Sequence, residues 1–182
     1  QASAQLHQRV AALKPMFVVL TETHLDGDAL DAEMLPAGYK VFARMDRTKN
    51  GGGVLILGLE LLLVNALDLK EYYIPCAAEI VGVEYQDFHI FGAYTHNSET
   101  APILVDSLSQ IRESNKYSEK TSIFLMDANA HHTEWLGSKN TDDAGECALA
   151  FSEIYDIKQY IDFPTRQDNI LDLIYSDCSC VT

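Results

Sequence analysis

The feature of this sequence that most constrains its fold is an apolar run near the middle of the chain that stops at polar side chains. Residues 122–126 are rich in β-forming side chains and predict a buried strand, and Asp127 and Asn129 follow closely. Because a sheet fixes the backbone of its strands, polar groups at a carboxyl strand end often form the site of an α/β enzyme. Asp and Asn also favour turns and caps, so this pair alone leaves a purely structural explanation open.

The remaining apolar patterns predict a layered α/β or α+β domain with sheets inside and helices outside. Helical spacing of apolar residues predicts three helices, at residues 2–13, 101–115 and 145–155. Apolar or alternating runs predict strands at residues 16–20, 39–43, 54–57, 61–67, 77–85, 88–94 and 169–175. The first of these is expected to be a buried central strand, and residues 61–67 are expected to be the hairpin partner of residues 54–57.

Further polar side chains lie on the predicted strands. Glu22 follows the first strand, Tyr94 ends another, and Asp172 lies in the middle of the last one. Since Leu171 and Leu173 flank Asp172, burial of its carboxylate would be costly without a polar partner. Together these oxygen donors suit a hard cation such as Mg²⁺, which keeps several waters and often binds substrate phosphate. A capping role for Glu22 and an ordinary strand-end role for Tyr94 stay open.

Other catalytic and metal-binding patterns find less support in the sequence. Gly51-Gly52-Gly53 lacks the Gly-Lys-Ser/Thr of a phosphate-binding loop, and no Gly-x-Ser-x-Gly motif indicates a serine nucleophile. His131 and His132 are candidate zinc ligands, but no other His or Cys lies at the spacing of a zinc site. The four cysteines show neither zinc spacing nor an easy disulfide, which favours reduced cysteines in an intracellular protein.

The 182 residues of the chain suffice for one ordinary domain, and no apolar run approaches the ~20 residues needed to span a bilayer.

The net charge of the chain is unfavourable for binding to nucleic acid. The 27 acidic and 13 basic residues give a net charge of −14, whereas contact with phosphates favours Lys and Arg. The one local basic cluster, at Arg44, Arg47 and Lys49, is either a phosphate contact or a solvated loop.

Five motifs follow one another along the chain, and their order is more specific for a protein family than any single motif. They are Leu20-Thr21-Glu22-Thr23-His24-Leu25, Arg44 with Gly51-Gly52-Gly53-Val54, Tyr94, Asp127-Ala128-Asn129-Ala130-His131-His132, and Phe163-Pro164-Thr165-Arg166 with Asn169-x-Leu171-Asp172-Leu173-Ile174. In this order they resemble the endonuclease/exonuclease/phosphatase superfamily. More narrowly, the chain looks like the apurinic-type endonuclease domain of non-LTR retrotransposon polyproteins, from Met16 to about Ser176.

This resemblance implies a DNase I-like fold, in which helices flank a two-sheet sandwich, and hydrolysis of DNA phosphodiester bonds with Mg²⁺ or Mn²⁺ as cofactor. It implies that Glu22 is a metal ligand and that Tyr94 contacts the scissile phosphate. Asp127 would orient or deprotonate the attacking water, Asn129 would hold water or phosphate beside it, and Asp172 would support a general acid–base histidine. The implied substrate-facing residues are Arg44, Thr165, Arg166 and His131.

The sequence departs from the family pattern at both ends. The family's first strand, which carries an Asn, and its final Ser-Asp-His motif are not found between Gln1 and Thr182. We therefore expect residues 1–182 to be a single, incomplete domain of weak activity, since one positioned acid or base contributes roughly 10²–10⁴-fold. The parent polypeptide is expected to carry a reverse transcriptase and to act on DNA in the nucleus. No membrane is expected among its partners.

Two other functions stay open from the sequence alone. The acidic balance mildly favours a phosphatase or phosphodiesterase of the same superfamily that acts on a small phosphoester. A catalytically inactive remnant, serving as an interaction module, would also tolerate the missing motifs. The three possibilities differ in whether the chain cleaves DNA, cleaves only small phosphoesters, or cleaves neither.

Overall fold

The computed structural model describes residues 2–27, 35–48 and 51–178, so Lys49 and part of the polar connection before the second strand lie outside it. The helices are α1 (Ala2–Leu13), α2 (Ala101–Glu113) and α3 (Asp143–Ile154), and Lys70–Tyr72 forms a short 3-10 turn. The strands are β1 (Phe17–Thr21), β2 (Tyr39–Met45), β3 (Val54–Leu59), β4 (Asn65–Ala66), β5 (Glu79–Tyr85), β6 (Phe88–Tyr94), β7 (Thr121–Asp127), β8 (Lys158–Gln159) and β9 (Asp172–Ser176). No helix in these ranges is both long and apolar enough to cross a bilayer.

The strands form two sheets, as the sequence predicts. The smaller sheet has the order β1-β3-β2, and the larger has the order β4-β5-β6-β7-β9-β8. Neighbouring strands are antiparallel except β6 and β7, which are parallel because α2 connects them as a crossover. The predicted two-sheet sandwich flanked by helices is therefore confirmed.

The domain has four layers, which pack together through apolar side chains: α1, the small sheet, the large sheet, and then α2 with α3. Val54 and Ile56 of the small sheet pack in one cluster with Val81, Val83 and Ile90 of the large sheet. A second cluster joins the large sheet to α2 and α3, and its large members include Phe91, Phe124, Phe151, Leu104 and Leu108. Each such burial contributes about 1.5–3 kcal/mol, which gives the strand ends a rigid support.

The predicted central position of the first strand is wrong. Among the described strands β1 pairs with β3 alone, so it is an edge strand, and its residues are half-buried. Its apolar run has a different cause: Phe17 and Val19 pack against the core between the sheets, while Val18 and Leu20 pack against the core under α1. Two covered faces produce a continuous apolar run whether or not a strand is central.

The predicted pairing of residues 61–67 with β3 is also wrong. The Leu62 amide donates to the Leu59 carbonyl at 3.0 Å in a turn that ends the small sheet. The chain then crosses to the large sheet, where Asn65 and Ala66 pair with β5. Leu61 is 89% exposed, so this apolar run reflects an exposed turn and not a buried strand.

Candidate active site

Strand register places four polar side chains side by side at one end of the large sheet. Glu79 of β5 lies opposite Tyr94 of β6, and Tyr94 lies beside Asp127 of β7. Asp127 in turn lies opposite Asp172, the first residue of β9. Glu22 directly follows β1 and contacts Tyr94, so the small sheet contributes to the same end of the sandwich. The structure thus brings together the predicted Glu22, Tyr94, Asp127 and Asp172.

Glu22 and Tyr94 connect the two sheets through one hydrogen bond. The Tyr94 hydroxyl donates to Oε1 of Glu22 at 2.9 Å, and Tyr94 is 1% exposed. Burial and the Glu22 carboxylate raise the pKa of the Tyr94 phenol well above its ordinary value, so the hydroxyl keeps its proton and acts as a donor. Glu22 is exposed and has a φ of +50°, a left-handed conformation that a Glu adopts only when its surroundings hold it.

Asp127 is a buried carboxyl group with a strongly raised pKa. The residue is 8% exposed, and burial, together with the charges of Asp172 and Glu22, raises its pKa to about 7. The Asn129 amide, 3.4 Å from Oδ1, and the positive charge of exposed Arg166 act in the opposite direction. A carboxyl group with a pKa near neutrality exchanges a proton at physiological pH, as a general base must.

Asn129 is fixed beside Asp127 by the loop that follows β6. Its side-chain amide donates to the Thr95 carbonyl at 2.9 Å. The Thr95 amide donates back to the Asp127 carbonyl at 3.2 Å, so the ends of β6 and β7 are tied together. Asn129 has a φ of +47°, a left-handed conformation that Asn tolerates better than most residues.

The structure corrects the predicted position of Asp172. The residue begins β9 instead of lying in the middle of a strand, and it is exposed, so the cost that burial of its carboxylate would impose does not arise. A tight turn delays the strand, with the Asn169 amide donating to the Arg166 carbonyl at 3.0 Å. Thr165 fixes the strand start, because its Oγ1 accepts the amides of Leu171 and Asp172 at 3.0 and 3.1 Å.

Two predicted substrate-facing side chains are engaged within the chain. Arg44 donates from Nε and Nη2 to the two carboxylate oxygens of Asp46, both at 2.7 Å. Nδ1 of His131 lies 2.9 Å from Oδ2 of Asp142, whose Oδ1 accepts the amides of His131 and Gly145 at 3.0 and 2.8 Å. Burial opposes the charge on Asp142, but these donors outweigh it and hold the pKa of Asp142 below its ordinary value. Asp142 therefore caps α3 and aligns His131.

Glu79 belongs to the row of polar side chains but was missed from the sequence. This buried carboxylate lies with Oε1 3.2 Å from Nη1 of Arg47, and its Oε2 accepts the Gly53 amide at 2.7 Å. A signal for it exists, because the tight turn at Gln86 fixes the β5–β6 register. Counting back from that turn pairs Glu79 with Tyr94.

The donor set at this end of the sheet fits a hard divalent cation. Glu22, Asp127 and Asp172 supply carboxylate oxygens, and their mutual repulsion contributes to the raised pKa of Asp127, which a cation would relieve. Within the described ranges, no three acidic, His or Cys side chains form a group that could hold a metal ion by themselves. A cation here would therefore need water or substrate oxygens, as Mg²⁺ bound by one or two carboxylates usually does.

Comparisons with known proteins identify the family and the fold of the chain. A family model described as endonuclease-reverse transcriptase matches residues 88–180, which is half of the chain. The matched span contains Tyr94, Asp127, Asn129 and Asp172. A search of the curated proteins finds no match.

Solved structures share the fold at low sequence identity. The endonuclease domain of TRAS1, a telomere-specific non-LTR retrotransposon, is 18% identical, with 96% of this chain and 78% of that chain covered and a TM-score of 0.66. The catalytic domain of human nocturnin is 13% identical over 96% and 73%, with a TM-score of 0.65. An AP endonuclease from Archaeoglobus fulgidus is 13% identical over 96% and 80%, with a TM-score of 0.64. These similarities establish a DNase I-like fold.

Proposed function

Because this chain belongs to the endonuclease-reverse transcriptase family, we propose that it is a divalent-metal-dependent endonuclease that hydrolyses DNA phosphodiester bonds. It would serve as the nicking domain of a non-LTR retrotransposon. The observation that carries the proposal is the row of Tyr94, Asp127 and Asp172 on adjacent strands, with Glu22 bonded to Tyr94. In that row Asp127 has a pKa of about 7, which suits a base at neutral pH.

In this proposal Glu22 holds Mg²⁺ or Mn²⁺, with water and a substrate phosphate oxygen as further ligands. The bound ion would polarise the phosphoryl group and stabilise the charge on the leaving oxygen. The Tyr94 hydroxyl stays protonated, and its single hydrogen bond, which goes to Glu22 in the structure, would turn to a phosphate oxygen when Glu22 holds the cation. Glu22 and Tyr94 therefore recognise the same phosphate from the two sheets.

Asp127 is the general base of the proposed reaction. Its carboxylate takes a proton from a water molecule while the water oxygen bonds to phosphorus and the bond from phosphorus to the leaving sugar oxygen breaks. Asn129, held by Thr95, keeps the water or the phosphate in line with Asp127. Burial raises the pKa of Asp127 toward neutrality, and the negative charge of Asp172 adds to this effect. Solvent water supplies the proton for the leaving oxygen.

A small phosphoester is the second candidate substrate, and the charge of the chain favours it. The net charge is −14, and Arg44 and Arg47 near the site are paired with Asp46 and Glu79. DNA binding gains most of its affinity from Lys and Arg at phosphates, so this surface offers little of it. A single small phosphate needs only the cation, Tyr94 and a local basic group such as exposed Arg166.

The test is cleavage of supercoiled plasmid and of bis(p-nitrophenyl) phosphate with Mg²⁺ or Mn²⁺, each with and without EDTA. The endonuclease proposal predicts metal-dependent nicking that Asp127→Ala abolishes and that Asp87→Ala, at an exposed turn carboxylate, leaves unchanged. Hydrolysis of the small phosphoester without nicking would favour the second candidate. Metal binding with neither reaction would indicate an inactive remnant.

The retrotransposon assignment extends to the surroundings of the domain. We propose a reverse transcriptase in the same parent polypeptide and action in the nucleus, where chromosomal DNA is available. The family match and the shared fold with a retrotransposon endonuclease domain support the reverse transcriptase. Sequencing the parent transcript tests it, and a reading frame without reverse-transcriptase motifs would contradict it.

A further inference from the structure

Glu79 is a deeply buried carboxylate that the proposed reaction does not use. It is 1% exposed, yet it has two polar contacts: Nη1 of Arg47 lies 3.2 Å from Oε1, and the Gly53 amide donates to Oε2 at 2.7 Å. A charged carboxylate is stable at such depth only when it is paired and hydrogen-bonded. Glu79 therefore holds both Arg47 and Gly53 against the start of β5.

Arg47 extends this contact to Tyr94. Its Nε donates to the Gly51 carbonyl at 2.9 Å, and its Cζ lies over the Tyr94 ring, 6.0 Å from the ring centroid. This distance is within the range of cation–π attraction. A Cβ at Gly52 would collide with the Arg47 guanidinium, so this approach requires glycine at that position. The guanidinium thus contacts both the ring of Tyr94 and the loop Gly51-Gly52-Gly53, called the glycine loop below.

The glycine loop in turn holds the backbone that follows Glu22. The carbonyls of Gly53 and Gly52 accept the amides of Thr23 and His24 at 3.3 and 3.0 Å. Gly53 has a φ of +94°, and a Cβ there would collide with Oγ1 of Thr23. These two hydrogen bonds immediately follow Glu22 and its left-handed backbone, and they supply the support that such a conformation needs.

We propose that Glu79 is a positioning residue of the metal site. With Arg47 it fixes the glycine loop and the Tyr94 ring, and through them it aims the Glu22 carboxylate at the cation. This inference rests on the proposed function, because it gives Glu22 the role of metal ligand. Residues that hold metal ligands in place typically change metal affinity or activity by about 10–100-fold when replaced. Loss of Glu79 is expected to weaken Mn²⁺ affinity within that range although no ligand is removed.

The experiment compares two Glu79 variants with a matched control on the same strand. Glu79→Gln removes the negative charge of Glu79 and leaves Arg47 without its ion-pair partner. The double variant Arg47→Met with Glu79→Leu removes both charges, so it buries no unpaired ion. It therefore tests the proposal even if the single variant fails to fold. Glu84→Gln is the control, because Glu84 pairs with Lys120 at 3.2 Å at the opposite end of β5. The two readouts are the Mn²⁺ dissociation constant and the amide exchange rates of Thr23 and His24.

Support requires weaker Mn²⁺ binding and faster exchange at Thr23 and His24 in a Glu79 variant, with neither change in Glu84→Gln. Unchanged exchange overturns the proposal, since the loop would then not depend on Glu79. Faster exchange with unchanged Mn²⁺ affinity also overturns it, because Glu79 would then support only the fold. If the wild-type chain itself binds no Mn²⁺, the proposed function fails before any substitution, and the positioning role fails with it.

Discussion

Replacing Asp127 by Asn is expected to stabilise the protein at neutral pH. Burial and the neighbouring carboxylates raise the pKa of Asp127 from its ordinary 3.8 to about 7. Between these values the folded state binds the proton more tightly than the unfolded chain, so stability falls as the pH rises from about 4 to about 7. Each pKa unit corresponds to about 1.4 kcal/mol, so the ionised carboxylate costs roughly 3–5 kcal/mol above neutrality. Asn keeps the shape without the charge.

Urea unfolding across pH measures this effect. The free energy of unfolding of Asp127→Asn should equal that of the wild type near pH ~4 and exceed it by roughly 3–5 kcal/mol near pH ~8. For a chain of this size the gain corresponds to a melting temperature higher by roughly 5–15 °C. Asp87→Asn, at an exposed carboxylate, should change neither value. A stability difference that stays constant with pH, or a less stable Asn variant near pH ~8, would show that the Asp127 carboxylate does not destabilise the folded state.

Two further substitutions test the supports of the site. Thr165→Val removes the oxygen that accepts the amides of Leu171 and Asp172, and it should lower the free energy of unfolding by about 1–3 kcal/mol. An unchanged urea midpoint would show that those amides find other partners. Gly145→Ala places a Cβ against the His131 carbonyl, and it should cost about 1–3 kcal/mol through overpacking at the start of α3. Calorimetric melting checks this, and an equal or higher melting temperature would contradict it.

The fold was largely predictable because its helices and strands bury one or both faces. Apolar periodicity identified α1, α2 and α3 and most of the larger strands, including the bounds of Phe88–Tyr94. The edge position of β1 was not predictable, since periodicity reports covered faces and not lateral hydrogen bonding. The turn at Leu61 was misread because exposed leucines produce the same apolar run as a strand.

The sequence indicated candidate site residues better than it indicated the contacts between their side chains. Motif order indicated Glu22, Tyr94 and Asp127. The position of Tyr94 beside Asp127 depends on strand register, and the contact of Glu22 with Tyr94 depends on sheet packing, and motif order contains neither. The pairing of Arg44 with Asp46 had a local signal, because the two residues are two apart where β2 ends and an extended chain places such residues on one face. Contacts between distant segments had no such signal, and they exist only once the two sheets pack together.

Binding of Mn²⁺, followed by electron paramagnetic resonance, tests whether this end of the sandwich is a metal site. We expect one Mn²⁺ site per chain that Mg²⁺ displaces. Glu22→Gln should abolish it, because this carboxylate is the proposed ligand, while Glu60→Gln, at an exposed turn at the other end of β3, should leave it intact. No binding by the wild type, or equal binding by Glu22→Gln, would contradict a metal-dependent site between Glu22 and Tyr94.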